Sequence, residues 1–186
     1  MKTFSFFEQA LKLSGYPRMD NSGEISIISR RDFDERETFL IRTKLPGVEY
    51  ASLMIENAVL LRTNRSGRVY AGFEKLSCMK PVVDRYQRIA DVSDSVYIFG
   101  EPDWKPPRHP NIRTINLSAD SPLAHECFLI ADSSTLHVAV VACDEEGFEM
   151  GGSEQRSFTT LKTSNIAAVT ALANFADGVI DWSIAA

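Results

Sequence analysis

The side chains whose types and spacing could do chemistry are three histidines, His109, His125 and His137, with Glu126 and Cys127 beside the second. A metal ion would need three or four convergent ligands from this set. A cysteine nucleophile would need a base within hydrogen-bond reach, and Cys127 with His137 is the pair on offer. Both ideas fall within residues 123–146, LAHECFLIADSSTLHVAVVACDEE, where two apolar runs joined at Asp132-Ser133-Ser134 predict a buried hairpin at the centre of a sheet. Strand alternation points His125 and Glu126 to opposite faces and puts His137 on the face of Ala139 and Val141, which scatters a ligand set. A thiol inside FLIA-type runs reads as a packing residue, and no nucleophile-elbow sequence surrounds it. Gly151-Gly152 sits in an acidic stretch without the lysine or following helix that a phosphate cradle requires. No catalytic residue and no metal ligand is assigned; a small enzyme using Cys127 or Glu126 stands as the weakest alternative.

Charged residues in apolar surroundings are more informative. Glu56 has Ser52 and Leu53 one turn before it and Val59 and Leu60 one turn after, so its carboxylate borders a buried face and needs a partner. Arg85 occupies a similar place among Val82 and Ile89, and a contact between the two would relieve both desolvation costs. A structural salt bridge accounts for that pair, and the alternative is the polar floor of a ligand pocket. Glu126, entering the first run of the hairpin, is the third such residue.

The elements that must position these groups follow from periodicity. Phe4, Phe7 and Leu11 predict a first helix that Gly15-Tyr16-Pro17 stops, packed on the core edge. Residues 24–29 predict a strand, followed by a surface excursion over the charge run Arg30 to Glu37. Ala51, Met54, Ile55, Ala58 and Val59 predict a helix over 48–62. A strand over 68–73 comes next, then a helix through Ala90 with Ser77 as cap and Pro81 in its first turn. Strands over 95–100, 112–117 and 156–162 flank the hairpin, and four prolines between Glu101 and Pro110 force a surface loop. Thr163 or Ser164 caps a last helix that Asp177-Gly178 should stop. The fold class read from this order is α+β, a mainly antiparallel sheet of five to six strands with helices packed against it, broadly of the PAS and GAF layout.

Composition bounds the function. At 186 residues with 44% hydrophobic and 24% charged side chains, the chain is expected to be a single domain with one core, spanning 1–186. A net charge of -5 removes the field that non-specific nucleic-acid or anionic-membrane binding relies on. Three widely spaced cysteines fit a reducing cytoplasm, and no segment reaches the roughly 20 apolar residues of a membrane span.

Several segments in order resemble one family: Ile55-Glu56, Phe73-Glu74, Arg85-Tyr86 before Ala90, Val96 to Gly100, and Pro122 to Glu126 leading into Phe128 to Asp132. The set resembles the DICT sensory domains, named for their association with diguanylate cyclases and two-component proteins, and the likeness covers most of the chain. It departs from the family pattern at Glu74, where Gln is frequent, and at Cys127, where Trp is. The resemblance implies an α+β sensory domain of cyanobacterial type, linked to light or other environmental responses, with no known catalytic residues. On it rests a candidate ligand-binding set of Glu56, Phe73, Glu74, Arg85, Tyr86 and Glu126, for a ligand and cofactor of unknown identity. Because no cyclase, kinase or DNA-binding segment follows, the output is expected on another polypeptide, a signalling protein reached in trans, with a homodimer as a further expectation. The helices at Phe4 to Leu13 and Ser164 to Ala176 are the expected transmitters. The alternative class is an assembly module without ligand, in which Trp104, exposed on the proline loop, is the partner contact.

Overall fold

The structure, a computed structural model, describes residues 4–25, 28–62, 66–144 and 156–185. Eight strands form one mixed sheet in the order β1-β2-β8-β7-β6-β3-β4-β5, namely β1 (Met19–Ile25), β2 (Thr38–Lys44), β3 (Arg68–Lys75), β4 (Ser95–Glu101), β5 (Ile112–Asn116), β6 (Glu126–Asp132), β7 (His137–Asp144) and β8 (Ser157–Thr163). Helices α1 (Phe6–Leu13) and α5 (Ile166–Ala185) cover one face; α3 (Leu45–Leu60) and α4 (Val83–Asp91) cover the other, with the short α2 (Arg30–Glu35) beside them. The α+β class holds, but the sheet is wider and less antiparallel than five to six mainly antiparallel strands. The β1/β2, β3/β4 and β4/β5 pairs are parallel, and the remaining four are antiparallel. The PAS- and GAF-like layout rested on the narrower sheet.

Two segments explain the difference. The strand β2, TFLIRTK, follows directly on the charge run and carries Arg42 and Thr43, which masks its alternation, yet Phe39 and Ile41 enter one core and Leu40 the other. The charge run itself is not an excursion. It forms α2, capped by Ser29, whose hydroxyl accepts from the Asp32 N–H, and laced by Arg30–Asp34 and Arg31–Glu35 pairs one turn apart. Of the strand expected over 24–29, Glu24 and Ile25 belong to β1, while 26 and 27 lie outside the described residues.

The hairpin is as expected. β6 and β7 pair from Asp132↔His137 to Glu126↔Cys143, deep in the sheet between β3 and β8. Alternation sends Leu129, Ala131, Val138 and Val140 to the α3/α4 face and Phe128, Ile130, Ala139 and Val141 to the α1/α5 face. Pro46 stands in the first turn of α3, where its missing N–H costs nothing. Ser77 does not cap α4; its N–H and hydroxyl donate to Asp103 across the sheet end, and a 3-10 turn over Leu76–Val82 precedes the helix. Asn165 rather than Thr163 or Ser164 caps α5, accepting from the Ala168 N–H. The helix runs through Asp177-Gly178 to Ala185, because its apolar face continues with Val179 and Ile180 and Asp177 is occupied by Arg68 and Tyr70. Far from lying at the core edge alone, α1 buries Phe6 and Ala10 completely.

Candidate functional site

On the α3/α4 face, the sequence-derived residues converge in part. Arg85 Nη1 donates to Glu56 Oε2 at 2.8 Å, and the Tyr86 hydroxyl bonds the same carboxylate. Glu56 is 5% exposed, while the Arg85 side chain reaches partly into solvent. Burial, with the adjacent Glu56 charge, pushes the Tyr86 phenol well above its ordinary range. Phe73 lies edge-on to Tyr86 at 5.7 Å between centroids. Glu56, Phe73, Arg85 and Tyr86 therefore form one cluster between α3, α4 and the end of β3.

The other two members of the set lie elsewhere. Glu74 accepts from Arg156 Nη1 at 3.1 Å, and Arg156 Nε donates to Asp144 at 2.9 Å, a separate ionic group at the sheet end. Glu126 lies on the opposite face, 3% exposed. It accepts from the Ser5 hydroxyl at 2.6 Å and from the Phe6 and Phe7 N–H groups at 2.8 and 3.3 Å, so it seats the N-terminus of α1, where unpaired amides and the helix dipole favour an anion. Burial raises its carboxyl above the usual range, against the opposing pull of those three donors.

The remaining chemical candidates are separated by register. Cys127 stands opposite Ala142 and His137 opposite Asp132, at the two ends of the hairpin, so His137 does not reach the thiol. Burial pushes that thiol up to about 12. His137 Nδ1 lies 2.8 Å from Asp132 Oδ1, and Asp132 also accepts from Arg68 at 2.6 Å. His109 pairs with Asp91, and His125 ends a 3-10 turn. Among the described residues no three His, Cys, Asp or Glu side chains form a metal group. Gly151-Gly152 lies outside the described residues. Trp104 is not the exposed residue expected on the proline loop: it is half-buried against the α3/α4 core, with Lys80 Nζ 5.6 Å from its ring centroid. Trp182 and Ile184 on α5 and Leu13 on α1 are the exposed apolar side chains of the terminal helices, with Ile166 at the start of α5.

Sequence reasoning missed a cleft of about 250 Å³ bounded by α2, α3, β7 and β8. Phe33, Leu53, Met54 and Val138 give it apolar walls, Asn57 and Ser164 add polar groups, and Lys162 belongs to the lining. Lys162 is 2% exposed. Its ammonium donates to the Arg36 carbonyl at 2.5 Å and to the Ser164 hydroxyl at 3.2 Å, and stands 5.1 Å from the Phe33 ring centroid. Burial lowers its pKa to about 8. The same helix, α3, carries Leu53, Met54 and Asn57 into the cleft and Glu56 to Arg85. Only the apolar spacing around Lys162 could have signalled burial, and a lysine near a strand end reads as solvent-facing.

Residues 51–146 match the model of a family described as a sensory domain in diguanylate cyclases and two-component systems, DICT. No curated protein matches the sequence. Among solved structures, the polyphosphate kinase of Porphyromonas gingivalis is similar over 82% of this chain at 14% identity, with a TM-score of 0.52. The chain spans 29% of that kinase, and at such identity the likeness is one of fold. A phospholipase D family member, Nuc from Salmonella typhimurium, aligns at 15% identity over 76% of this chain and 93% of its own, with a TM-score of 0.36. Among the described residues no helix is long and apolar enough to cross a membrane.

Proposed function

Because this chain belongs to the DICT family of sensory domains, we propose that it senses by admitting a small ligand to the cleft beside α3 and passing the change to α4 through the Glu56–Arg85 ion pair. One observation carries the reading: α3 walls the cleft with one stripe and holds the buried ion pair with the next. A ligand pressing on Met54 or Asn57 moves the helix that positions Glu56, and a buried carboxylate tolerates little displacement from its partner. Light or another environmental variable would enter as whatever alters occupancy of the cleft. The role proposed is sensory, after the family's description. The three free cysteines suit a cytoplasmic setting.

Native mass spectrometry of the chain purified from its own source tests this. Mass above that of the 20.8 kDa chain, absent when M54W fills the cleft, is the expected result. Added mass that survives M54W places the ligand elsewhere and rejects the cleft.

A second reading, an assembly module without ligand, is favoured by Leu13, Trp182 and Ile184, exposed on α1 and α5. These helices would then meet a signalling partner or a second copy of the chain. Unaltered mass, together with partner binding or self-association that Trp182→Ala abolishes, would favour it over ligand sensing.

A further inference from the structure

A buried ammonium is stable when an anion meets it, because hydrogen bonds to neutral groups compensate only part of its lost hydration. Lys162 has such neutral partners, the Arg36 carbonyl and the Ser164 hydroxyl, and the faces of Phe33 and Phe39 at 5.1 and 6.0 Å. Among the described residues no carboxylate lies within ion-pair distance of its Nζ. The charged groups around it are engaged or distant. Asp34 and Glu37 attract the ammonium and Arg36 repels it, all through space. Asp34 pairs at 3.5 Å with Arg30 on the exposed rim, Arg36 holds Asp20, and His137 at the cleft edge bonds Asp132. On the α3 side the lining residues are Tyr50, Leu53, Met54, Asn57 and Ala58, none of them charged.

We propose that the cleft takes a small monocarboxylate with an apolar body, whose carboxylate pairs with the Lys162 ammonium while its body lies against Phe33, Leu53 and Met54. The Lys162 ammonium matches a single negative charge, whereas a phosphate dianion would call for forked arginine donors beside it, and Arg30, the arginine of the lining, is paired with Asp34. Asn57 supplies a further donor for the carboxylate oxygens, while the Ser164 hydroxyl is already donated to the Glu37 carbonyl. This inference rests on the cleft being the sensor's ligand site, and it fixes the class of ligand. The same pairing would hold Lys162 charged, so affinity should fall as pH rises through the range in which the free lysine loses its proton, about 8.

Calorimetric titration of the full chain with benzoate, octanoate and indole-3-acetate, each beside its primary amide, is the test. At least one carboxylate is expected to bind about tenfold or more tightly than its amide, the difference that one charge-assisted hydrogen bond makes. Lys162→Met should weaken that carboxylate by about tenfold or more. Met54→Trp, which fills the cleft and keeps the lysine, should do the same and serves if the first variant does not fold. Binding of none of the three carboxylates, equal binding of acid and amide, or undiminished binding by folded K162M or M54W overturns the proposal. The Arg85 Nε–H resonance, followed in the same titration, separates this inference from signal transfer through α3. Carboxylate binding with an unmoved Arg85 signal rejects the transfer and leaves the ligand class standing.

Discussion

On the face covered by α1 and α5, the buried carboxylate of Glu126 is met by a hydroxyl and two helix-end amides, and Phe6, whose amide is one of them, packs its ring among Phe99, Phe128 and Phe175. On the opposite face, the buried ammonium of Lys162 has only neutral partners and borders an open cleft. One sheet thus carries a side completed by its own chain and a side with room for something else. A buried charge becomes informative about binding through what it lacks, and burial alone does not distinguish these two.

The contrast can be broken most forcefully at the aromatic cores. Phe6→Ala is expected to cost about 3–5 kcal/mol in urea unfolding, because its neighbours close on it from all sides. Phe33→Ala, beside the cleft, should cost less; an equal loss would erase the difference in packing between the faces. Next is Arg85→Ala, expected to cost about 2–3 kcal/mol by stranding the Glu56 carboxylate, with much of the loss recovered when Glu56→Gln is added. Failure of the second change to recover stability would mean that the loss in Arg85→Ala does not come from a stranded Glu56 carboxylate.

Smaller effects separate the two buried charges by pH. Because the Glu126 carboxyl is raised, the native state favours its protonated form, so its contribution is fully present below the ordinary glutamate range and is lost as pH rises through the raised value. Glu126→Gln should remove that pH dependence from thermal unfolding, at a cost of about 1–2 kcal/mol for the altered helix seat. Lys162 runs the other way. With its pKa lowered from 10.5 to about 8, its contribution is present above 10.5 and lost as pH falls through 8. Lys162→Met should therefore be about 1 kcal/mol more stable than the parent at pH 7 and lose that advantage between pH 8 and 10.5. A constant difference across that range would show that the ammonium is hydrated in the cleft.

What can be read from the residues follows the same division. The hairpin is legible because both its faces are buried, leaving continuous apolar runs that only a central strand explains. The Glu56–Arg85 pair is legible because each charge sits within a helical apolar stripe. β2 is not, since Arg42 and Thr43 interrupt its alternation and the preceding charges suggest solvent. Lys162 is hidden for a related reason: its burial depends on α2 folding over β8, and nothing local to residue 162 records a helix that lies well over a hundred residues earlier in the chain. The extension of α5 past Gly178 likewise depends on Arg68 and Tyr70 of β3 holding Asp177 from the sheet face beneath the helix.

The place of β8 between β2 and β7 has a consequence for assembly in time. Thr38 is paired with Thr163, so the sheet cannot close until residue 163 has emerged from the ribosome. Until then β2 and the apolar β7 each present an unpaired edge, open to the same edge on a neighbouring chain. A fragment trimmed to residues 51–146 retains the family segment but not β8, and should precipitate rather than fold.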